Sequence, residues 1–141
     1  MTLVAPWPER WANGPMDRRA AMEPNRIALG VKLEKPDLHD HVRQAGMLCC
    51  RRVRRKPGET PSKNFSNHSW GTAIDLQFGP QLDEVGDGLT QLGLLQLAPF
   101  LDAEGFYWGA GFGGATEDAM HFEASDELVR PWAADGHLGT S

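Results

Sequence analysis

The sequence predicts an α+β fold: a small antiparallel sheet of about four strands, with helices packed on one face and polar side chains leaving the other. Three observations carry this. Between Ala73 and Phe78, the residues Ile74, Leu76 and Phe78 alternate with Ala73, Asp75 and Gln77, the period of a half-buried strand. Short apolar runs near 47–53, 106–109 and 120–124 are bounded by Gly, Pro and polar clusters, as strands are. Leucine-rich segments of helical length lie between them.

The elements follow in chain order. Residues 1–35 are rich in Pro and polar groups and read as an extended lead-in without an assigned role. Pro36 to Gly46 reads as a helix, with Asp37 as cap, Leu38, Val42 and Ala45 on one face and Gly46 as the stop. Met47 to Val53 reads as a strand that turns basic as it leaves the core. Residues 56–69 (KPGETPSKNFSNHS) are loop-like. Leu89 to Glu104 is helical in part, and Pro99 predicts a break near Ala98 followed by a short helix to Gly105. Phe106 to Trp108 is a strand, and the glycine-rich GAGFGG follows it. Met120 to Ala124 is the last strand. Ser125 then caps a short helix ended by Pro131. The domain is expected over 36–134, with a flexible tail at 135–141.

Composition narrows the function. The 141 residues fit one domain. With 14 basic against 19 acidic side chains, the net charge of -5 argues against a nucleic-acid partner. No apolar run reaches the length that spans a bilayer, and MTLVAPWPERW lacks the pattern of a secretory signal. No membrane partner is expected, and the oligomeric state stays open, with a monomer favoured. Cys49 and Cys50 are adjacent and cannot staple a fold, so they read as small strand hydrophobes.

Two of the five histidines stand out. His68 lies seven residues before Asp75 in SNHSWGTAID, and His121 lies in EDAMHFE. Asp75 and His121 each occupy the polar phase of a short strand. If the strands share a sheet, both side chains leave one face, beneath the loop that carries His68. Two imidazoles and a carboxylate form a typical zinc set with a fourth position open. Spacing alone leaves this undecided, because a His, an Asp seven residues on and a distant His also occur by chance.

Two motifs add to it. Ser66-x-His68-x-x-Gly71-x-Ala73-x-Asp75 resembles the signature of the M15 peptidases, the D-alanyl-D-alanine carboxypeptidase and phage endolysin family. Asp118-Ala119-Met120-His121-Phe122 is similar to the family's second motif, an acid three residues before the last histidine. Gly105 to Gly109 (GFYWG) looks like the strand that precedes it. The resemblance covers about residues 47–132.

The resemblance implies that His68, Asp75 and His121 hold one zinc ion per chain and that Asp118 is the general base. Glu117 is its neighbour and competitor. The resemblance also implies an arginine near the developing oxyanion, a contact of the kind worth about 2.7–4 kcal/mol when a single donor is removed. Register by resemblance favours Arg51, with Arg54 second, out of Arg51, Arg52, Arg54, Arg55 and Lys56. Arg54 and Ser66 are the candidate substrate contacts. Glu123 shares the strand phase of His121 and reads either as a support for that ligand or as a surface group. Trp70 and Trp108 either wall a groove or pack around the loops.

The implied substrates are peptidoglycan stem peptides. Carboxypeptidase members that cut D-Ala-D-Ala use Glu as base, whereas the branch that cuts between L-Ala and D-Glu uses Asp. Asp118 therefore points to an L-alanyl-D-glutamate endopeptidase, with D-alanyl-D-alanine carboxypeptidase as the alternative. A zinc-binding interaction module without turnover is the alternative of another class. The absence of a signal pattern suits cytoplasmic synthesis and a phage-type release to the cell wall.

Overall fold

The computed structural model describes residues 5–6, 27, 30–46, 52–53, 58, 60 and 62–135. Its centre is a four-strand antiparallel sheet: β2 (Val42–Gly46), β3 (Ala73–Phe78), β4 (Phe106–Trp108) and β5 (His121–Ala124). A two-residue strand, β1 (Ala5–Pro6), extends one edge, and the spatial order is β1-β2-β3-β5-β4. Four helices accompany it: α1, described over residues 30–34, α2 (Pro36–His41), α3 (Leu92–Ala103) and α4 (Asp126–Ala134).

Helix α3 connects β3 to β4, and β5 enters between them. The stripe Leu94, Leu97 and Leu101 is spaced i, i+3, i+7, and all three residues are buried. They join Ile74, Leu76 and Phe122 from the apolar phase of the sheet in one core. Helix α4 adds Trp132 to that core. Ser125 caps α4 by accepting a hydrogen bond from the Leu128 amide, and Asp126 and Glu127 in the first turn suit the positive end of its dipole. The helical layer occupies one face of the sheet, so Asp75 and His121 in the opposite strand phase leave the other.

Three boundaries differ from those the sequence predicts. The helix expected over 36–46 ends at His41, and residues 42–46 form a strand. Leu38 and Val42 are both buried as the pattern requires, but β2 gains ladder partners on two sides, β1 and β3, which a helix would forfeit. Lys35 rather than Asp37 occupies the cap position, with Pro36 opening the helix and Asp37 in its first turn. The strand expected over 47–53 falls largely on residues outside the described ones, although Arg52 makes an isolated bridge to Phe65.

Neither helical proline ends its helix. Pro99 lies inside an unbroken α3 and Pro131 inside α4. Each removes one amide donor. Leu95, whose carbonyl loses that partner, is on the solvent face, and Pro99 itself is exposed, so water can satisfy the group. Helix α3 then ends at Ala103, and Gly105 turns the chain with φ +86°.

Leu97 is 0% exposed and Leu95 51% exposed on the same helix. Leu97→Ala is expected to cost about 2–5 kcal/mol in urea unfolding, and Leu95→Ala less than about 0.5 kcal/mol. Equal losses would contradict the assignment of the buried face.

Candidate metal centre

The register of β3 and β5 sets Asp75 directly opposite His121, and Ala73 opposite Glu123. Ladder partners on one face lie within side-chain reach. On the neighbouring strand a register shift between Gln44 and Gly46 makes a bulge, which leaves Gly46, without a side chain, facing Asp75. The third residue arrives from a 3₁₀ turn, Asn67–Trp70, whose His68 is 2% exposed. Gly71 closes that turn at φ +68°, a left-handed conformation that brings the chain straight into β3.

The three side chains converge on one point. His68 Nε2, Asp75 Oδ1 and His121 Nδ1 form a triangle with every side 3.1 Å. Hydrogen bonds cannot satisfy all three sides, because two imidazoles that both donate to Asp75 leave their own N···N side without a proton donor and acceptor. A shared cation removes the conflict. Tetrahedral bonds of about 2.0–2.1 Å to one centre require donors about 3.3 Å apart, close to the observed sides. The residues thus fit a metal ion chemically and geometrically.

Electrostatics favour the charged state of the set. Burial opposes ionisation of Asp75, but hydrogen bonds from His121 and His68 outweigh it and hold the carboxyl at about 2. Burial also opposes the His121 imidazolium, but its bonds to Asp75 and Glu123 raise it to about 9. Glu123 is lowered chiefly by its bond to His121.

Asp118 differs from all of these. Burial, followed by the charge of Asp75, pushes its carboxyl above the ordinary value. Its Oδ1 is buried without a hydrogen-bond partner among the described residues, an arrangement typical of a working group rather than a structural one. Glu117 is committed elsewhere: its Oε2 accepts from the amides of Gly86 and Gly88 at 3.1 and 3.2 Å. Of the two acids, Asp118 is the one with a buried carboxylate oxygen that has no described partner. Its backbone is pinned at both ends, its amide donating to Gly109 and its carbonyl accepting from His121. Gly109 allows this close approach, because a Cβ there would strike the Asp118 carbonyl and crowd His121.

Residues 60–124 match the peptidase family described as D-alanyl-D-alanine carboxypeptidase. This stretch is similar to the M15 peptidases. The match contains His68, Asp75, Asp118 and His121, and it is narrower than the span of about 47–132 suggested by the motifs. No curated protein matches the chain significantly.

The remaining residues around the site separate into those near the triangle and those held away from it. His121 Nε2 lies 2.9 Å from Glu123 Oε2, the same oxygen that accepts from Asn67 Nδ2 at 2.8 Å. Phe112 lies with its ring 5.8 Å from that of His121, and Tyr107 stacks on Phe112 at 5.5 Å. Neither Phe112 nor Asn67 stands out in the sequence. Trp108 is no groove wall: it stacks on Phe122 and donates to the Ala119 carbonyl. Trp70 is exposed and meets Phe65 edge-on. Ser66 is buried, and its carbonyl accepts from Ser69, which starts the His68 turn. Arg51 and Arg54 lie outside the described residues. Arg52 donates to the Ser62 and Lys63 carbonyls and covers the Phe65 ring.

The charge network predicts how the metal-free chain responds to pH. His121 is raised from 6.5 to about 9, so its stabilising effect is complete below pH 6.5 and disappears as pH rises through 9. Asp75 is lowered from 3.8 to about 2, so its effect is complete above 3.8 and disappears as pH falls toward 2. Thermal unfolding after chelator treatment should show a plateau between these limits, and His121→Gln should abolish the alkaline slope. Gly109→Ala is expected to destabilise the chain by about 1–3 kcal/mol through overpacking, measured by denaturant unfolding.

Proposed function

We propose that the chain is a zinc-dependent peptidase of peptidoglycan stem peptides, with His68, Asp75 and His121 as the metal ligands and Asp118 as general base. The observation that carries this reading is the unpartnered carboxylate oxygen of Asp118 beside a triangle of metal donors. An ion held there would act as a Lewis acid that makes water more acidic and polarises the scissile carbonyl. Asp118 takes the proton from the attacking water and delivers it to the leaving amine. Its raised pKa suits both steps, since a base closer to neutrality also serves better as the returning acid. His68 and His121, both nearly excluded from solvent, keep the donor set fixed through the cycle. Ser66 and an arginine, Arg51 before Arg54, are the proposed substrate contacts.

Two bonds compete. Asp rather than Glu at position 118 favours cleavage between L-Ala and D-Glu. The description of the matching family favours removal of a terminal D-Ala. Digestion of purified peptidoglycan with mass analysis separates them: a new N-terminal D-Glu supports the first, free D-Ala the second. Products with neither end would place the cut at another bond, and none from any wall type would favour a zinc-binding module without turnover.

The parent chain should bind about one zinc ion, and His68→Ala or His121→Ala should lose it. Asp118→Ala should stay folded and zinc-loaded while its turnover falls about 10²–10⁴-fold, the usual range for a general base. Full activity in Asp118→Ala would refute the base assignment.

A further inference from the structure

The mechanism leaves unused a half-buried carboxylate beside the triangle. Glu123 stands two residues after His121 on β5, and its Oε2 receives both the ring nitrogen of His121 at 2.9 Å and the side-chain amide of Asn67 at 2.8 Å. Asn67 precedes His68 on the 3₁₀ turn. One oxygen atom therefore links the turn that supplies one donor of the triangle to the strand that supplies another.

We infer that Glu123, braced by Asn67, is a positioning residue: it fixes the tautomer of His121 and locks the His68 turn onto β5, so that the donors are set before an ion arrives.

The chemistry follows from the two ring nitrogens. His121 offers Nδ1 to the triangle and Nε2 to Glu123. An ionised carboxylate only accepts, so Nε2 keeps its proton and Nδ1 is the nitrogen that gives up a proton and offers its lone pair when a cation binds. Without Glu123 the ring can hold its proton on Nδ1, where it blocks the site, or rotate. Asn67 uses an amide hydrogen on the same oxygen and so fixes where that oxygen lies. The backbone supports the clamp: the Asn67 carbonyl accepts from both the amide and hydroxyl of Thr72, and Tyr107 lies opposite Glu123 on β4. Removing such a partner of a ligating histidine costs roughly 10–100-fold in metal affinity.

The inference rests on the metal reading above, but its test does not require peptide cleavage. Zinc affinity is measured by competition with a chromophoric chelator for the parent, Glu123→Ala, Glu123→Gln and Asn67→Ala, each checked for folding by circular dichroism. Cobalt(II) absorption reports donor geometry, and nitrogen-15 NMR reports the His121 tautomer. Glu123→Ala is expected to bind zinc about 10–100-fold more weakly, with an altered cobalt band and a mixed tautomer. Glu123→Gln, whose carbonyl can still accept both hydrogens, should recover most of the affinity and the single tautomer. Asn67→Ala should fall between them. Affinity within twofold of the parent in Glu123→Ala, with an unchanged cobalt band, would overturn the inference, as would a Glu123→Gln chain no better than Glu123→Ala. If Glu123→Ala does not fold, the Glu123→Gln and Asn67→Ala results decide. A parent that binds zinc as described but cleaves no peptide would refute the proposed activity and leave the clamp standing.

Discussion

The register between β3 and β5 is the constraint on which the rest depends. Because side chains alternate with a period of two, the pairing that sets Ile74 against Phe122 in the core also sets Asp75 against His121 on the opposite face. A slip of one residue would bury the carboxylate and expose the apolar side chains. Core formation and donor placement are therefore one event, and the hydrophobic energy that fixes the sheet also fixes the site. This explains how a domain of this size holds two nearly buried imidazoles beside a carboxylate. The polar cluster costs desolvation, and its position is enforced by apolar contacts on the other side of the same strands.

The parts of the fold readable from sequence were those with strict periodicity. The alternation over 73–78 located β3, and the polar phase of Asp75 and His121 predicted their shared face. The motif that includes Ser66, His68, Gly71 and Asp75 then made the donor set specific. The misread elements are those where tertiary pairing outweighed local preference. Leu38 and Val42 satisfy a helical stripe, but the chain becomes a strand at Val42 because two neighbouring strands offer partners. Pro99 and Pro131 read as helix stops, whereas each lies where the displaced hydrogen bond faces solvent or a helix near its end. Phe112 and Asn67 carried no local signal, since their roles depend on contacts with residues distant in sequence.

The acids of the site show why position on a strand is not enough to assign chemistry. Asp75 and Glu123 lie on the same face and are both held ionised by imidazoles. Asp118, one turn before His121, has no such partner and keeps its proton more readily. Glu117 is buried as well, but backbone amides occupy its carboxylate. The four acids around the histidines thus differ in what donates to them: imidazoles to Asp75 and Glu123, backbone amides to Glu117, and no described group to the Asp118 Oδ1.

The strand order has a temporal consequence. β5 follows the other described strands in the chain, but it lies in the interior of the sheet, between β3 and β4. A chain emerging from the ribosome has His68 and Asp75 long before His121, and β3 and β4 have no common partner until β5 inserts. The donor triangle therefore closes only when the domain is nearly complete.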